Sequence, residues 1–359
     1  MSDRIAVWDP NPFNPYGVEV ARVISESSEH VRRFGRRGQR IASDNFTSTA
    51  LLPPAAAGSR SVSLRVRYLL ALVGFSLYVL VRRPLVVVCW MNTEAEQTMI
   101  RTLQRLRCRT LVVVHNPIAG RDEADDYPLT RAIRSAATAV LIHDDVLRGG
   151  LPGYENIVVA AHPAYLAWAA STADWCAADR TAGLSALYLG SARVDKGFDL
   201  VPRLAGDLRR HDCELACAIG RLTADENLLL ERADNVTVLT QVGVHMSDPD
   251  VRRYMETSSV LVAPYRDVTA SGTVLMALTV GLPVAAFESP VLLGTLDAEN
   301  MAPVGDTRKL AERAVASSRT DRADLAARAR RHDDLAQVQW SEAVRRVLGN
   351  EQSVEESRA

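Results

Sequence analysis

Short apolar runs, each followed by polar or helix-forming sequence, recur along the chain in two successive series. The first series consists of IAVWD (5–9), LVVVCW (85–90), TLVVVH (110–115), TAVLIHD (138–144) and NIVVAA (156–161). The second consists of SALYLG (185–190), CELACAIG (213–220), NVTVLTQ (235–241), SVLVAPY (259–265) and LPVAAF (282–287). Strands that alternate with helices form parallel sheets. The pattern therefore predicts two doubly wound, Rossmann-like α/β domains that face each other across a cleft.

The length agrees with two domains, because 359 residues exceed one ordinary core and suit units of about 150 residues each. The stretch 171–183 is rich in Ala, Asp, Thr and Ser, which is typical of a linker. We therefore expect an N-terminal domain at 1–180 and a C-terminal domain at 181–335.

The end of the chain reads as a helix and a tail. Trp340, Val344 and Leu348 share one face of a predicted helix at 336–349. The polar residues 350–359 are expected to be disordered.

Composition excludes several classes of protein. Hydrophobic residues make up 47% and charged residues 24%, as in soluble globular proteins, and the net charge of −1 gives no electrostatic reason to bind nucleic acid. The N-terminus lacks the apolar core of a signal peptide. Five cysteines without a Cys-x-x-Cys pair favour reduced thiols in a cytoplasmic protein over a disulfide or metal site. Asp248-Pro-Asp250 reads better as a helix start than as a metal loop, so we predict no metal.

One apolar segment, 68–81, raises the question of a membrane. Its 14 residues are too few to span a bilayer as a helix, for which about 20 are needed. Arginines flank it at positions 65, 67, 82 and 83, so the segment is either a buried helix or a helix lying on anionic lipid. A second basic run contains Arg32, Arg33, Arg36, Arg37 and Arg40. This run could extend the same face, or it could be a solvated loop.

Cationic residues follow the first strand of the second series. Gly190, Arg193, Lys196 and Gly197 form the pattern GxxRxxKG directly after the run LYLG. A diphosphate spreads its oxygens over two phosphorus centres and needs several donors at fixed separations. A glycine lets the backbone approach the diphosphate closely, an arginine offers a planar pair of donors, and a lysine offers a mobile point charge. The pattern predicts an anion site in a strand-to-helix loop.

Small hydroxyl residues begin an apolar helix farther along the chain. Tyr265, Arg266, Thr269 and Ser271 gather in one loop after a strand, and Gly272 follows them. Backbone N–H groups at a helix start, aided by the helix dipole, attract anions. A plain N-cap at Ser271 explains part of this pattern without any ligand.

These motifs resemble those of bacterial GT-B glycosyltransferases. GxxRxxKG at 190–197, PYRxxTxSG at 264–272 and the turn GLPV at 281–284 occur in the order found in relatives of the retaining, two-glutamate (family 4-like) enzymes. NPY (14–16), HN (115–116) and AHPAY (161–165) extend the resemblance into the first half. It implies a GT-B fold whose C-terminal helix crosses back onto the first domain.

The resemblance assigns roles position by position. It implies donor-diphosphate binding by Gly190, Arg193, Lys196, Ser271, Gly272 and Thr273. It implies nucleoside or sugar binding by Gly220, Arg221, Tyr265, Arg266 and Thr269. On the acceptor side it implies Asn14, Tyr16, Asn116 and His162, with His115 as the catalytic candidate that hydrogen-bonds the sugar or acts as a base. His115 and His162 each have a purely structural alternative.

The sequence also departs from the family. Val268 and Met276 occupy the positions where related enzymes carry the two glutamates, and the loop after HN lacks a second histidine. These losses leave open whether the anomeric configuration is retained and whether the chain is active at all.

The expected function is therefore transfer of a sugar from a nucleotide-diphosphate donor to an acceptor, without a metal or other cofactor. The apolar segment suggests a lipid-linked acceptor, and peripheral contact with the inner face of the plasma membrane through residues 65–83. Alternatives are a non-catalytic GT-B-like binding protein and a sugar-nucleotide epimerase.

Overall fold

The structure is a computed structural model that describes residues 5–37, 45–54, 61–117, 127–173, 183–268 and 271–349. The chain forms two compact units, one of Met1–Trp168 with Asp333–Ala359 and one of Ala169–His332. The units therefore divide at Trp168, whereas the boundary expected at residue 180 lies outside the described residues, as does the tail at 350–359.

The first unit contains a parallel sheet whose seven described strands are ordered β3-β2-β1-β4-β5-β6-β7. The strands are β1 (Ile5–Trp8), β2 (Val31–Arg36), β3 (Thr47–Leu52), β4 (Leu85–Val88), β5 (Thr110–Val113), β6 (Ala139–Ile142) and β7 (Ile157–Val159). The helices up to the unit boundary are α1 (Tyr16–Ser25), α2 (Val62–Arg82), α3 (Glu94–Arg105), α4 (Pro128–Ser135) and α5 (Leu166–Ser171).

The second unit contains a parallel sheet whose six described strands are ordered β10-β9-β8-β11-β12-β13. The strands are β8 (Leu184–Gly190), β9 (Cys213–Ile219), β10 (Val236–Val238), β11 (Val260–Ala263), β12 (Val284–Phe287) and β13 (Met301–Ala302). The remaining helices are α6 (Val201–Arg209), α7 (Ala224–Glu231), α8 (Asp248–Thr257), α9 (Gly272–Thr279), α10 (Thr307–Ser317) and α11 (Arg322–Gly349).

The ten runs of the sequence all appear as strands, and the prediction of two parallel α/β sheets is confirmed. In each sheet the strand order reverses beside the first strand, between β1 and β4 in one and between β8 and β11 in the other. Ligands of doubly wound sheets bind beyond the carboxyl ends of the strands at such a switch point.

The basic run after residue 31 is a strand rather than a solvated loop. Arg33 lies in β2 and is 1% exposed, because its guanidinium donates two hydrogen bonds of 2.6 and 3.0 Å to one carboxylate oxygen of Asp9. Arg36 donates to the backbone oxygen of Pro10. A buried carboxylate at the end of β1 thus compensates the charge that the sequence alone places on the surface. Arg40 lies outside the described residues.

The second half of α11 belongs to the core of the first unit. Trp340, Val344 and Val347 are buried in one cluster with Ile5 and Val7 of β1. The indole N–H of Trp340 also donates to a backbone oxygen after β7, that of Ala161, at 3.1 Å. The helix begins at Arg322, well before the expected start at residue 336.

Helix α2 packs on the opposite face of the same sheet and is mostly exposed. Trp8 of β1 meets Phe75 of α2 with ring centroids 4.5 Å apart. Of its 21 residues only Ala71, Leu72, Phe75 and Val79 are buried. The interpretation as a fully buried helix is therefore wrong. By length and composition α2 could cross a membrane, but its buried side chains attach it to the sheet.

Candidate functional site

The loop after β8 meets the loop after β11, at the switch point of the second sheet. The ammonium of Lys196 lies 4.1 Å from the ring centroid of Tyr265, a cation–π contact. The backbone N–H of Arg266 donates to the backbone oxygen of Asp195 at 2.9 Å. The two stretches that the sequence marks as anion-binding thus lie side by side.

Gly197 permits this close approach. Its φ of +69° lies in the left-handed region, and a Cβ built on it would be 2.0 Å from the backbone oxygen of Pro264. Any side chain would force the two loops apart, so this glycine has a steric role in the site.

Tyr265 connects the lysine to the start of α9. Its ring is 2% exposed and its hydroxyl donates to the backbone oxygen of Leu189 at 3.4 Å. Burial raises the pKa of Tyr265 to about 12, while hydrogen bonds with Thr273 and Ser271 act in the opposite direction. Tyr265 is therefore a neutral phenol that orders the helix start and supports the ammonium of Lys196.

The start of α9 offers backbone donors. Ser271 is the N-cap, and its hydroxyl accepts from the N–H of Val274 at 3.3 Å. Gly272 and Thr273 form the first turn and are half-buried. The N-terminal N–H groups of a helix, together with its dipole, favour an anion at this point.

Two of the three arginines predicted for the site, Arg193 and Arg266, carry carboxylate partners. Arg193 is half-exposed and donates to both oxygens of Asp195 at 2.9 and 2.8 Å. Arg266 donates to both oxygens of Asp199 at 2.8 and 2.6 Å and to the backbone oxygen of Val194 at 3.0 Å. The hydrogen bond from Arg266 lowers the pKa of Asp199, so this pair is ionised at neutral pH. Arg266 thereby ties the two loops together.

The other residues assigned to the donor side are spread around this centre. Gly220 follows β9, and its N–H donates to the backbone oxygen of Gly190 at 2.8 Å, beside an exposed Arg221. Val268 is 8% exposed and Met276 is half-buried. Thr269 lies outside the described residues.

In the first unit, a cage of aromatic rings and histidines surrounds Tyr16. The Tyr16 hydroxyl and the Nε2 of His143 are 3.0 Å apart. Ring centroids of His115 and His162 lie 4.6 and 4.8 Å from that of Tyr16. Asn14 accepts hydrogen bonds from the N–H of Tyr16 and, at 3.2 Å, from the Tyr165 hydroxyl.

His115 lies at the edge of this cage. Its ring stacks on Trp90 with a centroid distance of 3.8 Å, and its Nε2 donates to the backbone oxygen of Cys89 at 2.9 Å. Burial lowers the pKa of His115 to about 4, against the smaller effect of that backbone hydrogen bond. At neutral pH His115 is therefore an uncharged hydrogen-bonding group and a weak base. Its neighbour Asn116 is half-buried.

The sequence-based prediction missed a cavity of about 500 Å³ beyond the ends of β4 and β5. It lies next to the switch point of the first sheet and combines aromatic, amide, hydroxyl and charged groups. The polar and aromatic residues in its lining are Asn11, Trp90, Asn92, Thr93, Glu94, Gln97, Tyr127, Thr130 and Arg134. The indole N–H of Trp90 is buried, and among the described residues it has no hydrogen-bond partner. The polar and aromatic sequence WMNTE (90–94), which follows strand β4, could have indicated a binding site here.

Within the described ranges, no three His, Cys, Asp or Glu side chains are placed to hold a metal ion together. The helix start at Asp248 accounts for the Asp-Pro-Asp motif, since Ser247 and Asp250 cap α8.

Comparison with known proteins gives a family match within the second unit and structures that share the fold of the chain. Residues 184–318 match the family model for glycosyl transferases group 1. No curated protein matches the chain.

Solved structures match the chain over nearly its whole length. Sucrose-phosphate synthase from Thermosynechococcus elongatus is 15% identical with a TM-score of 0.60, covering 99% of this chain and 100% of that one. A UDP-forming alpha,alpha-trehalose-phosphate synthase from Burkholderia xenovorans, in complex with glucose-6-phosphate, is 10% identical with a TM-score of 0.63, covering 97% and 100%. A structure from E. coli with bound UDP-2-fluoro glucose is 9% identical with a TM-score of 0.60, covering 97% and 98%. At such identities the similarity establishes the fold, which is GT-B.

Proposed function

We propose that this chain, which has the GT-B fold, is a glycosyltransferase whose second unit binds the nucleotide-diphosphate sugar while its first unit binds an acceptor presented at a membrane. One observation carries the proposal: Lys196, Tyr265 and the start of α9 come together at the switch point of the second sheet. A cation and a row of helix N–H groups at that position suit a diphosphate.

The same arrangement suits the chemistry of sugar transfer. When the bond from the sugar to the diphosphate breaks, negative charge grows on the departing phosphate oxygen. A fixed ammonium at Lys196 and the N–H groups of Gly272 and Thr273 would stabilise that charge more than the ground state. Arg193 would add a second cation if the diphosphate takes the place of Asp195 on its guanidinium.

The nucleoside and sugar would lie beside this centre. Gly220 and Arg221 follow the neighbouring strand β9 and would contact the nucleoside. With Val268 and Met276 at the positions of the family's glutamates, we propose that backbone and hydroxyl groups hold the sugar. Two similar structures, one of a UDP-forming enzyme and one with bound UDP-2-fluoro glucose, support a nucleoside-diphosphate sugar as the donor class.

For the acceptor we propose the cavity beyond β4 and β5. Aromatic faces of Trp90 and Tyr127, with the amides of Asn92 and Gln97, are the groups that bind the faces and hydroxyls of a sugar. His115 forms part of the wall behind Trp90 and would orient it, without serving as a strong base.

The remaining acceptor-side residues would support this cavity from behind. Asn14, Tyr16 and His162 make their hydrogen bonds and ring contacts inside the first unit. We therefore propose that they shape the acceptor site together with Asn116.

Membrane contact is proposed for α2. Its exposed side includes Leu70, Val73 and Val81, whose exposed fractions are 64%, 54% and 77%. A monomer rarely exposes a continuous apolar stripe of this kind without a partner. A lipid-linked acceptor would then reach the enzyme at the surface on which it rests.

The experiment is a thermal-shift and transfer assay with UDP-, GDP- and ADP-sugars, using a membrane lipid extract as the acceptor source. We expect one donor class to raise the melting temperature of the wild type and not that of Lys196→Ala. The matched control is Arg253→Ala, which removes an exposed cation paired with Asp250 on α8. Donor binding with no transfer or hydrolysis for any donor would favour a non-catalytic binding protein instead.

A further inference from the structure

A crevice of about 480 Å³ lies where α2 passes the ends of β2 and β3. Two arginines and an apolar floor line it. The lining residues are Arg37, Leu51, Pro53, Pro54, Arg67, Leu70 and Ala71. We call it the Arg37–Arg67 crevice. It is separate from the donor centre and from the cavity beyond β4 and β5.

Four arginines on or beside α2 lack an ion-pair partner among the residues that the structure describes. In the described part of the chain, Arg37, Arg65, Arg67 and Arg82 make no ion pair with a carboxylate. Residues 61–83 contain no Asp or Glu at all. Elsewhere exposed arginines do pair, as Arg253 does with Asp250. The surface around α2 therefore carries an uncompensated positive charge that suits an anion from outside.

An apolar stripe continues from the crevice along α2. Val66, Leu70, Val73, Leu77 and Val81 are spaced by three or four residues, so they lie on one face of the helix. Their exposed fractions are 49%, 64%, 54%, 58% and 77%. The stripe is about 22 Å long at 1.5 Å per residue, which is comparable to an extended acyl chain.

We propose that the Arg37–Arg67 crevice binds the phosphate of an anionic phospholipid, with the acyl chains lying along the stripe on α2. Two guanidinium groups can each donate to a phosphate oxygen, while the apolar floor accepts the first carbons of the chains. A free phosphate would gain nothing from Leu51, Leu70 or Ala71. The inference rests on the proposed membrane contact. It further specifies where the lipid headgroup binds and that the lipid is negatively charged.

The test measures binding of dihexanoyl-phosphatidylglycerol, below its micelle concentration, by calorimetry, and flotation with vesicles of 30% phosphatidylglycerol in phosphatidylcholine. The crevice variant is Arg37→Gln/Arg67→Gln. The variant Arg65→Gln/Arg82→Gln removes two cations of α2 outside the crevice. The control, Arg345→Gln/Arg346→Gln, removes two exposed cations from α11, on the opposite face of the sheet.

We expect the crevice variant to lose roughly thirtyfold in affinity for the soluble lipid, from about fivefold per arginine near an anionic lipid. Arg65→Gln/Arg82→Gln should keep the wild-type affinity for the soluble lipid and lose flotation. The control should change neither, and circular dichroism and melting temperature should stay at wild-type values in all three.

Three results would overturn the proposal. One is equal loss of soluble-lipid binding in both α2 variants, which would mean diffuse charge rather than a site. The second is equally tight binding of glycerol 3-phosphate, which would mean a phosphate site without a lipid. The third is a dimer in solution that buries Leu70 and Val73. Failure of sugar transfer with every donor would leave the lipid-binding measurements unchanged, so the two proposals fail separately.

Discussion

The polar residues at the strand ends of the two units have opposite surroundings. In the first unit Asp9 and Arg33 form a buried ion pair, and the hydroxyl of Tyr16 forms a hydrogen bond with the buried His143. In the second unit Arg193 is half-exposed, and the half-buried Lys196 lies over the ring of Tyr265. Polar residues that follow equivalent strands therefore have different roles in the two units.

The difference shows where binding chemistry can be expected. A buried polar group must be satisfied within the protein, because desolvation without a partner costs more than a hydrogen bond returns. At Asp9, Arg33 and Tyr16 of the first unit those partners are internal, so these residues mainly stabilise the fold. In the second unit the pair of Arg193 and Asp195 is partly exposed, so an anion from outside can compete for the guanidinium.

The largest effect should come from the buried charges of the first unit. Arg22 donates to Glu19 at 2.8 Å and to Asp333 at 2.6 Å, and all three side chains are at least nine-tenths buried. Arg22→Met should destabilise the unit by about 3–5 kcal/mol, because it leaves two buried carboxylates without their cation. Urea unfolding would measure this, with the exposed Arg105→Met as the control. A loss under 1 kcal/mol would contradict the contrast between the units.

Lys196→Ala should have the reverse profile, with lost activity and retained stability. We expect kcat/KM to fall about 100- to 1,000-fold, as when one charge-stabilising donor is removed, while the unfolding midpoint stays near that of the wild type. Arg193→Ala should cost less, because Asp195 already engages its guanidinium. Steady-state kinetics with the donor found by thermal shift would show this. An equal loss of kcat/KM in the two variants would mean that breaking the ion pair of Arg193 with Asp195 requires no free energy.

Gly197→Ala should destabilise the second unit by roughly 2–4 kcal/mol, because its methyl group would meet the backbone oxygen of Pro264 at 2.0 Å. Gly206→Ala is the matched control: it lies in α6 with no atom within 4 Å of its Cβ, and should stabilise by about 0.5–1 kcal/mol. Thermal unfolding of both would check this. A neutral Gly197→Ala would show that the two loops are not held together.

The effect of pH is small near neutrality and grows only as the pH falls below 6.5. Burial lowers the pKa of His115 to about 4 from an ordinary 6.5. Between these values the unfolded chain binds a proton that the folded chain does not, so stability falls as pH falls, by about 1.4 kcal/mol per pH unit. His115→Gln should therefore show a shallower loss between pH 6.5 and 4. Above pH 6.5 the two proteins should differ by a constant amount, and identical slopes throughout would contradict the buried, neutral histidine.

The sequence predicts most of the fold correctly, because buried parallel strands are continuous apolar runs. The strands that it missed, β2, β3 and β13, lack such runs: VRRFGR contains three arginines, TSTALL begins with polar residues, and β13 has only two residues. Arg33 can be buried in β2 because Asp9 at the end of β1 is its partner. No local pattern reveals a pairing across 24 positions.

The donor centre could be predicted in part. GxxRxxKG and PYRxxTxSG identify the two loops, because glycines and cations after strands have a clear chemical use. They do not show that Arg266 pairs with Asp199 or that Lys196 lies over Tyr265. They also do not identify the cavity beyond β4 and β5, whose walls come from four separate stretches of the chain.

By itself, then, the sequence determined the strand and helix periodicity, the order of the loops and the presence of an apolar, arginine-flanked helix. Those properties depend on neighbours along the chain. Only the tertiary structure decided which polar groups are satisfied inside the protein and which remain open, and which face of α2 is exposed. Burial and pairing depend on residues brought together by packing, which lie far apart in the sequence.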